Sequence, residues 1–162
     1  MITEEKLMII TGFAKQAHGD QQRKYTGEAY IYHPIAVSKL VKAQGGDLNM
    51  QAAALLHDVL EDTQVGHQEL RAFLYSVDEE SAEDVLALVV ELTDVYTKES
   101  FPHLNRKVRK ELEAERLGRC SARAKRIKLA DMEDNTSSIV ERDPSFAKVY
   151  LKEKARLLEK IG

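Results

Sequence analysis

The sequence predicts an all-α protein, a bundle of about seven or more helices. Apolar residues recur at helical spacing along most of the 162 residues. No alternating apolar and polar run is long enough to suggest a sheet. Breaks at Gly45-Gly46, Gly66, Pro102 and Gly118 divide the periodic stretches into separate segments. A hydrophobic content of 43% is ample for one core, and the length suits one domain, so residues 1–162 are expected to form a single domain.

Leu7, Ile10, Ala14 and Ala17 mark the first helix, with Thr3 placed to cap it. Gly19 to Tyr32 is polar and holds two glycines, which predicts a loop. Helix resumes after Pro34 with Val37, Leu40 and Val41 facing inward, and Gly45-Gly46 ends it. Asp47 or Asn49 caps the next helix, which carries Ala53, Leu56 and Leu60. Ser81 to Tyr96 is strongly periodic, and Asp78, Glu79 and Glu80 suit its positive N-terminal end. A basic helix runs to about Leu117, and another covers Ser121 to Val140. Asp143-Pro144 opens the last one, an N-cap followed by proline at the first helical position. The apolar face of that helix could pack internally or against a second copy of the chain, so a homo-oligomer is one expectation.

Composition excludes several classes. No run of 18 apolar residues is present, so no membrane span is expected. The N-terminus lacks a basic start and an apolar stretch, so no signal peptide is expected. A single cysteine, Cys120, excludes an internal disulfide and fits a reducing, cytoplasmic setting. Net charge is −3, whereas a nucleic-acid binder is usually basic overall, so no nucleic-acid partner is expected. Charge is nonetheless uneven. Asp47 to Tyr96 holds twelve acids against one base, and Lys98 to Lys128 holds eleven bases against four acids. Two readings fit: oppositely charged helical faces that attract one another, or a basic half that faces phosphates beside an acidic, metal-holding half.

The most informative stretch is Leu55-Leu56-His57-Asp58-Val59-Leu60-Glu61-Asp62-Thr63. On one continuous helix Asp58 lies above Asp62, and His57 above Glu61. Three carboxylates and an imidazole this close repel one another unless something positive sits among them, and a divalent cation is the simplest answer. His33 lies upstream, just before Pro34. Downstream, Lys128-Leu129-Ala130-Asp131 puts a carboxylate on or near a buried face, where it needs a partner. Taken singly, His33 reads as a surface or capping residue and Asp131 as the partner of an arginine. Together His33, His57, Asp58 and Asp131 offer a mixed nitrogen and oxygen set that suits a borderline or hard divalent ion. Glu61 and Asp62, one turn on, can take a proton from water or orient it.

These residues resemble the hydrolase domain of the RelA/SpoT group, in particular its small stand-alone alarmone hydrolases related to the metazoan SpoT homolog. The resemblance rests on four motifs in register over residues 5 to 140. They are His18-Gly19-Asp20-Gln21-Gln22-Arg23-Lys24, Tyr30-Ile31-Tyr32-His33-Pro34-Ile35-Ala36-Val37, Ala53 to Thr63, and Lys128-Leu129-Ala130-Asp131 with Asn135 beyond it. It implies an HD-domain helical fold and one Mn2+ ion held by His33, His57, Asp58 and Asp131, with Glu61 and Asp62 serving the attacking water. It implies removal of the 3′-diphosphate from guanosine tetra- or pentaphosphate, a starvation signal of the stringent response. Arg23, Lys24, Asn135 and Ser138 match nucleotide-contacting places. Tyr150 matches one loosely, and reads equally well as a half-buried core tyrosine. No synthetase or regulatory domain is expected to follow.

Two departures bear on the substrate. Met132 and Ser137 stand where the family usually carries basic residues, and Glu133 and Asp134 add acid. Each lost charge-assisted phosphate contact costs about 1–3 kcal/mol. The same metal chemistry on another phosphorylated nucleotide, such as NADPH, is therefore the second reading. A non-catalytic nucleotide-binding module is the third.

Overall fold

A short helix buried on every side organises the chain. The computed structural model describes Met1–Gly162. Its helices are α1 (Glu4–His18), α2 (Tyr32–Ala43), α3 (Leu48–Leu56), α4 (Val59–Asp62), α5 (His67–Val77), α6 (Ala82–Leu92), α7 (Arg106–Gly118), α8 (Ala122–Arg142) and α9 (Pro144–Ile161). Extended pairing is limited to an isolated bridge between Gln22 and Ala29. No helix is long and apolar enough to cross a membrane.

Every residue of α3 from Met50 to Leu56 is buried. Ala52, Ala53 and Ala54 end at Cβ and are fully enclosed, so α1, α2, α6 and α8 can all approach the α3 backbone. Around it lie Leu7, Ile10 and Ala14 of α1, Val37 and Val41 of α2, Val85 and Val89 of α6, and Ala124, Ile127 and Ala130 of α8. A smaller cluster, Leu117, Met132 and Ile161, joins α7, α8 and α9 as a second layer. The α8 helix belongs to both layers and forms the seam between them.

The caps follow the side-chain chemistry. Thr3, Asp47, Asn105, Ser121 and Asp143 each accept a backbone N–H in the first turn of the helix that follows. Gly45 turns α2 away at φ 79°, a conformation side chains other than glycine rarely adopt.

Three elements differ from expectation. The helix through the central motif is not continuous: α3 stops at Leu56, His57 and Asp58 form a turn, and α4 is a single turn of its own. No helix is expected over 67–77, yet α5 forms there with Leu70 and Leu74 buried and Phe73 and Val77 against the same core. The α6 helix stops at Leu92, because Thr93 is extended and its hydroxyl donates to Val89 O at 2.8 Å. The attraction between oppositely charged faces finds a counterpart. Arg123 of α8 bridges Asp84 and Asp47 at 2.9 and 3.1 Å, while the bases of α7 and α9 face a cleft.

The close approach to α3 has a direct test. Ala53→Leu adds a branched side chain where no space remains, and should lower stability by about 1–3 kcal/mol. Denaturant unfolding of the two proteins reads this as a lower midpoint at unchanged slope.

Candidate metal and catalytic site

The break after α3 creates the site. His57 N reaches back to Ala54 O at 3.5 Å, and the His57 ring bonds the same carbonyl through Nδ1 at 2.7 Å. A carbonyl can only accept, so Nδ1 carries the proton and the Nε2 lone pair is left pointing away from the helix end. That Nε2 is buried and has no hydrogen-bond partner. It lies 3.0 Å from Asp58 Oδ2 and 3.3 Å from Asp131 Oδ1.

His33, on the first turn of α2, repeats the arrangement. Its Nδ1 is 2.7 Å from Asp134 Oδ2, and a proton on that nitrogen would leave the Nε2 lone pair for a cation. Its Nε2 faces Asp131 Oδ1 at 2.9 Å and Asp58 Oδ2 at 3.9 Å. The structure therefore brings His33, His57, Asp58 and Asp131 together from α2, the α3–α4 turn and α8. Two imidazole nitrogens and two carboxylate oxygens converge, an arrangement that needs a proton or a cation at its centre. Two ligands at about 2.1 Å from one ion and at right angles to each other lie about 3.0 Å apart. Three of the four spacings, 2.9, 3.0 and 3.3 Å, lie near that, and His33, His57 and Asp58 form a group able to hold a metal ion.

The charges tell the same story. Burial opposes a proton on His57, yet the Asp58 and Asp131 carboxylates override it and raise its pKa well above the ordinary value. Burial alone would raise the Asp131 pKa, and the Lys128 ammonium at 3.0 Å together with the two imidazoles instead pulls it well down. A divalent cation would replace the protons that hold this cluster together.

The side chains behind the cluster fix its orientation. Asp134 holds His33 Nδ1 and is itself held by Arg23 Nη1 at 2.9 Å. Arg23 Nη2 donates to Asn135 Oδ1 at 3.1 Å, and Asn135 Nδ2 donates to Asp131 Oδ1 at 3.1 Å. Arg23, expected at the nucleotide, is thus engaged with Asp134 and Asn135. Tyr30 donates to Asp58 Oδ2. In sequence Asp134 reads only as added acid; its backing role requires the fold, which crosses 101 residues to reach His33.

Glu61 and Asp62 stand beside the cluster on α4. Both are exposed as residues, but their carboxyl groups are crowded and partly desolvated. Burial, then the neighbouring charge of Asp94, Asp62 and Asp58, pushes Glu61 up to about 8. Burial and Asp58 push Asp62 to about 6. Asp94, just past α6, sets its charge against Glu61 and was not legible as a site residue, since it ends a long acidic stretch with no motif around it.

A cleft of about 190 Å³ opens from this centre between α7, α8 and α9. Asp94, Lys128, Asp131, Asn135, Tyr150 and Lys154 are among the residues that line it. Tyr150 is half-buried, and its hydroxyl donates to Met132 O at 3.2 Å. Ser138 is half-buried and does not line the cleft, and Lys24 is exposed with its ammonium 5.3 Å from the centre of the Tyr25 ring. Met132 is buried against Leu117 and Ile161, and Ser137 is exposed.

Residues 11–156 match the HD domain family. This chain belongs to that family. Among its relatives, the guanosine-3′,5′-bis(diphosphate) 3′-pyrophosphohydrolase MESH1 of Xenopus tropicalis is 36% identical over 128 residues, 77% of this chain and 64% of that protein. The MESH1 of Drosophila melanogaster is 34% identical over 143 residues, 86% of this chain and 73% of that one. The chain thus spans less than two thirds of the Xenopus relative. A solved structure described as a metazoan ortholog of SpoT that hydrolyzes ppGpp superposes with a TM-score of 0.79 at 29% identity, covering 99% of this chain and 88% of that one. The chain is therefore an HD domain of the RelA/SpoT type.

The crowded carboxylates make stability depend on pH. Glu61 and Asp62 have folded pKa values above their unfolded ones, so the folded state binds more protons, and stability falls as pH rises from about 4 to 8. In chelator, the Tm should drop over that range and Glu61→Gln should raise it at pH 8 but not at pH 4. Adding a divalent metal at pH 8 should recover the Tm of the wild type. A flat pH profile in chelator contradicts the crowding.

Proposed function

We propose that this HD domain is a metal-dependent pyrophosphohydrolase that removes the 3′-diphosphate from guanosine-3′,5′-bis(diphosphate), leaving the guanosine nucleotide and pyrophosphate. The observation that carries the reading is the orphaned, buried Nε2 of His57 facing Asp58, Asp131 and His33 Nε2. The names of the Xenopus and Drosophila relatives support the substrate. A divalent ion, Mn2+ in this proposal, supplies Lewis acidity toward the phosphate and lowers the pKa of water.

The chain's own residues do the rest. His33, His57, Asp58 and Asp131 hold the ion, with Asp134 and Tyr30 fixing two of them in place. Glu61 and Asp62 sit where they can take the proton from the attacking water. Water oxygen bonds to the phosphorus attached to the ribose 3′-oxygen, that phosphorus–oxygen bond breaks, and the 3′-oxygen leaves with a proton. Burial and the neighbouring carboxylates favour the protonated form of Glu61, and a bound cation would favour its ionised form, in which it can accept a proton and then return it. Lys128, half-buried beside Asp131 and lining the cleft, meets the phosphate charge, while Asn135 and Tyr150 line the space for the nucleotide. Arg23 contributes by holding Asp134 and Asn135, and Lys24 and Ser138 lie further out. Residues 1–162 act as one domain in this reading, since the site draws on α2, the α3–α4 turn, α4, α8 and α9 together. The cytoplasm suits the free thiol of Cys120, whose pKa is raised by burial.

The test is pyrophosphate release by Mn2+-loaded protein offered guanosine-3′,5′-bis(diphosphate) and NADPH in parallel. Release from the first is expected, with Glu61→Gln losing about 10²–10⁴ in kcat while binding Mn2+ as before. Cleavage of NADPH alone would overturn the substrate. No metal-dependent cleavage of either would overturn the enzyme.

A further inference from the structure

Beyond the cleft that reaches Asp131, a second, wider groove of about 540 Å³ runs between α7 and α9. The two share Arg106, Lys110 and Glu153, so they form one continuous trough leading away from the metal cluster. The charge of the outer groove is lopsided. Arg106, Lys107, Lys110, Lys152 and Arg156 line it against Glu111 and Glu153. Both carboxylates are already taken. Glu153 receives Arg106 through two bonds of 3.0 and 3.1 Å, and Glu111 receives Arg156 at 3.1 Å. Lys107, Lys110 and Lys152 make no ion pair or side-chain hydrogen bond, which leaves three free ammonium groups in one concavity of a chain whose net charge is −3.

Like charges gathered on facing helices repel, and an anion between them relieves the cost. The groove walls are built to keep their shape. The Arg106 guanidinium is clamped by Glu153 and lies 5.2 Å from the centre of the Phe146 ring. On the inner side, α8 supplies Lys128, held by Asp131 at 3.0 Å, and no further base before Arg142, so the other cations along the trough come from α7 and α9, with Lys154 tied to Thr136 at 2.9 Å. Along α7 the trough runs from Arg106 to Leu117, about 16 Å at 1.5 Å per residue. That is room for a nucleoside bearing a phosphate chain at each end.

We propose that the outer groove, through Lys107, Lys110 and Lys152, is a subsite for the 5′-phosphate chain of the nucleotide whose 3′-diphosphate lies at the metal cluster. The inference rests on the proposed function and adds to it a reason for preferring nucleotides phosphorylated at both ends. Electrostatic recognition of this kind is sensitive to ionic strength.

The experiment measures binding without turnover, in chelator, by calorimetry. The probes are guanosine-3′,5′-bis(diphosphate) and guanosine 3′-diphosphate with a free 5′-hydroxyl. The wild type should bind the first at least tenfold more tightly, and the margin should shrink as salt is raised. In Lys107→Gln/Lys152→Gln the margin should fall to less than threefold while the weaker probe binds as before. Both lysines are exposed and unbonded, so folding is not at stake. Lys15→Gln/Lys39→Gln makes the same change in net charge on α1 and α2 and should keep the margin. A wild type that binds both probes equally, or binds neither, or a groove variant that keeps its tenfold margin, overturns the subsite. A control variant that loses the margin equally also overturns it, in favour of a general charge effect. Pyrophosphate release by the wild type with Mn2+ is scored separately, so failure of the subsite and failure of the proposed activity are told apart.

Discussion

Two imidazole nitrogens and two carboxylate oxygens meet inside this protein with no cationic side chain directly between them. That confrontation is costly in a buried setting unless a proton or cation occupies the middle. The surrounding structure is arranged to enforce it. Ala54 O holds the His57 ring by Nδ1, Asp134 holds the His33 ring by Nδ1, and both Nε2 atoms are thereby aimed inward. Removing either tether would let a ring turn and relieve the strain. Keeping both commits the site to a positive occupant.

The helix break at His57–Asp58 is the device that makes this possible. A continuous helix would spread His57 and Asp58 100° apart around its axis. The turn lets both reach the same point, and it gives α4 a separate direction, so that Glu61 and Asp62 flank the cluster. The enclosed alanines of α3 serve the same end. They let α2 and α8 come close enough for His33 and Asp131 to meet His57 across the core. The second layer, α7 and α9, then closes one side of the site and lines the way out with bases.

Much of this was legible in the sequence, because its signals are local. Helical periodicity and caps such as Asp47 and Asp143-Pro144 locate most helices, and the His57-Asp58 pair with its following acids marks the chemistry. What escaped depends on long-range packing. The turn at His57 is set by a ring bonding a carbonyl, which no spacing rule encodes. The α5 stripe of Leu70, Phe73, Leu74 and Val77 was present but hidden behind Gly66. Arg23 reads as a free cation on a polar loop, and only the fold shows its charge spent on Asp134, itself 111 residues away. Asp94 belongs to the site by position alone.

The most direct measurement is the nitrogen coupling seen by pulsed electron paramagnetic resonance on Mn2+ added to the purified protein. The account requires one tightly held ion coupled to two imidazole nitrogens, with His57→Ala removing one coupling and His33→Ala the other. An ion that shows no nitrogen coupling, or whose spectrum is unchanged by either substitution, would contradict it.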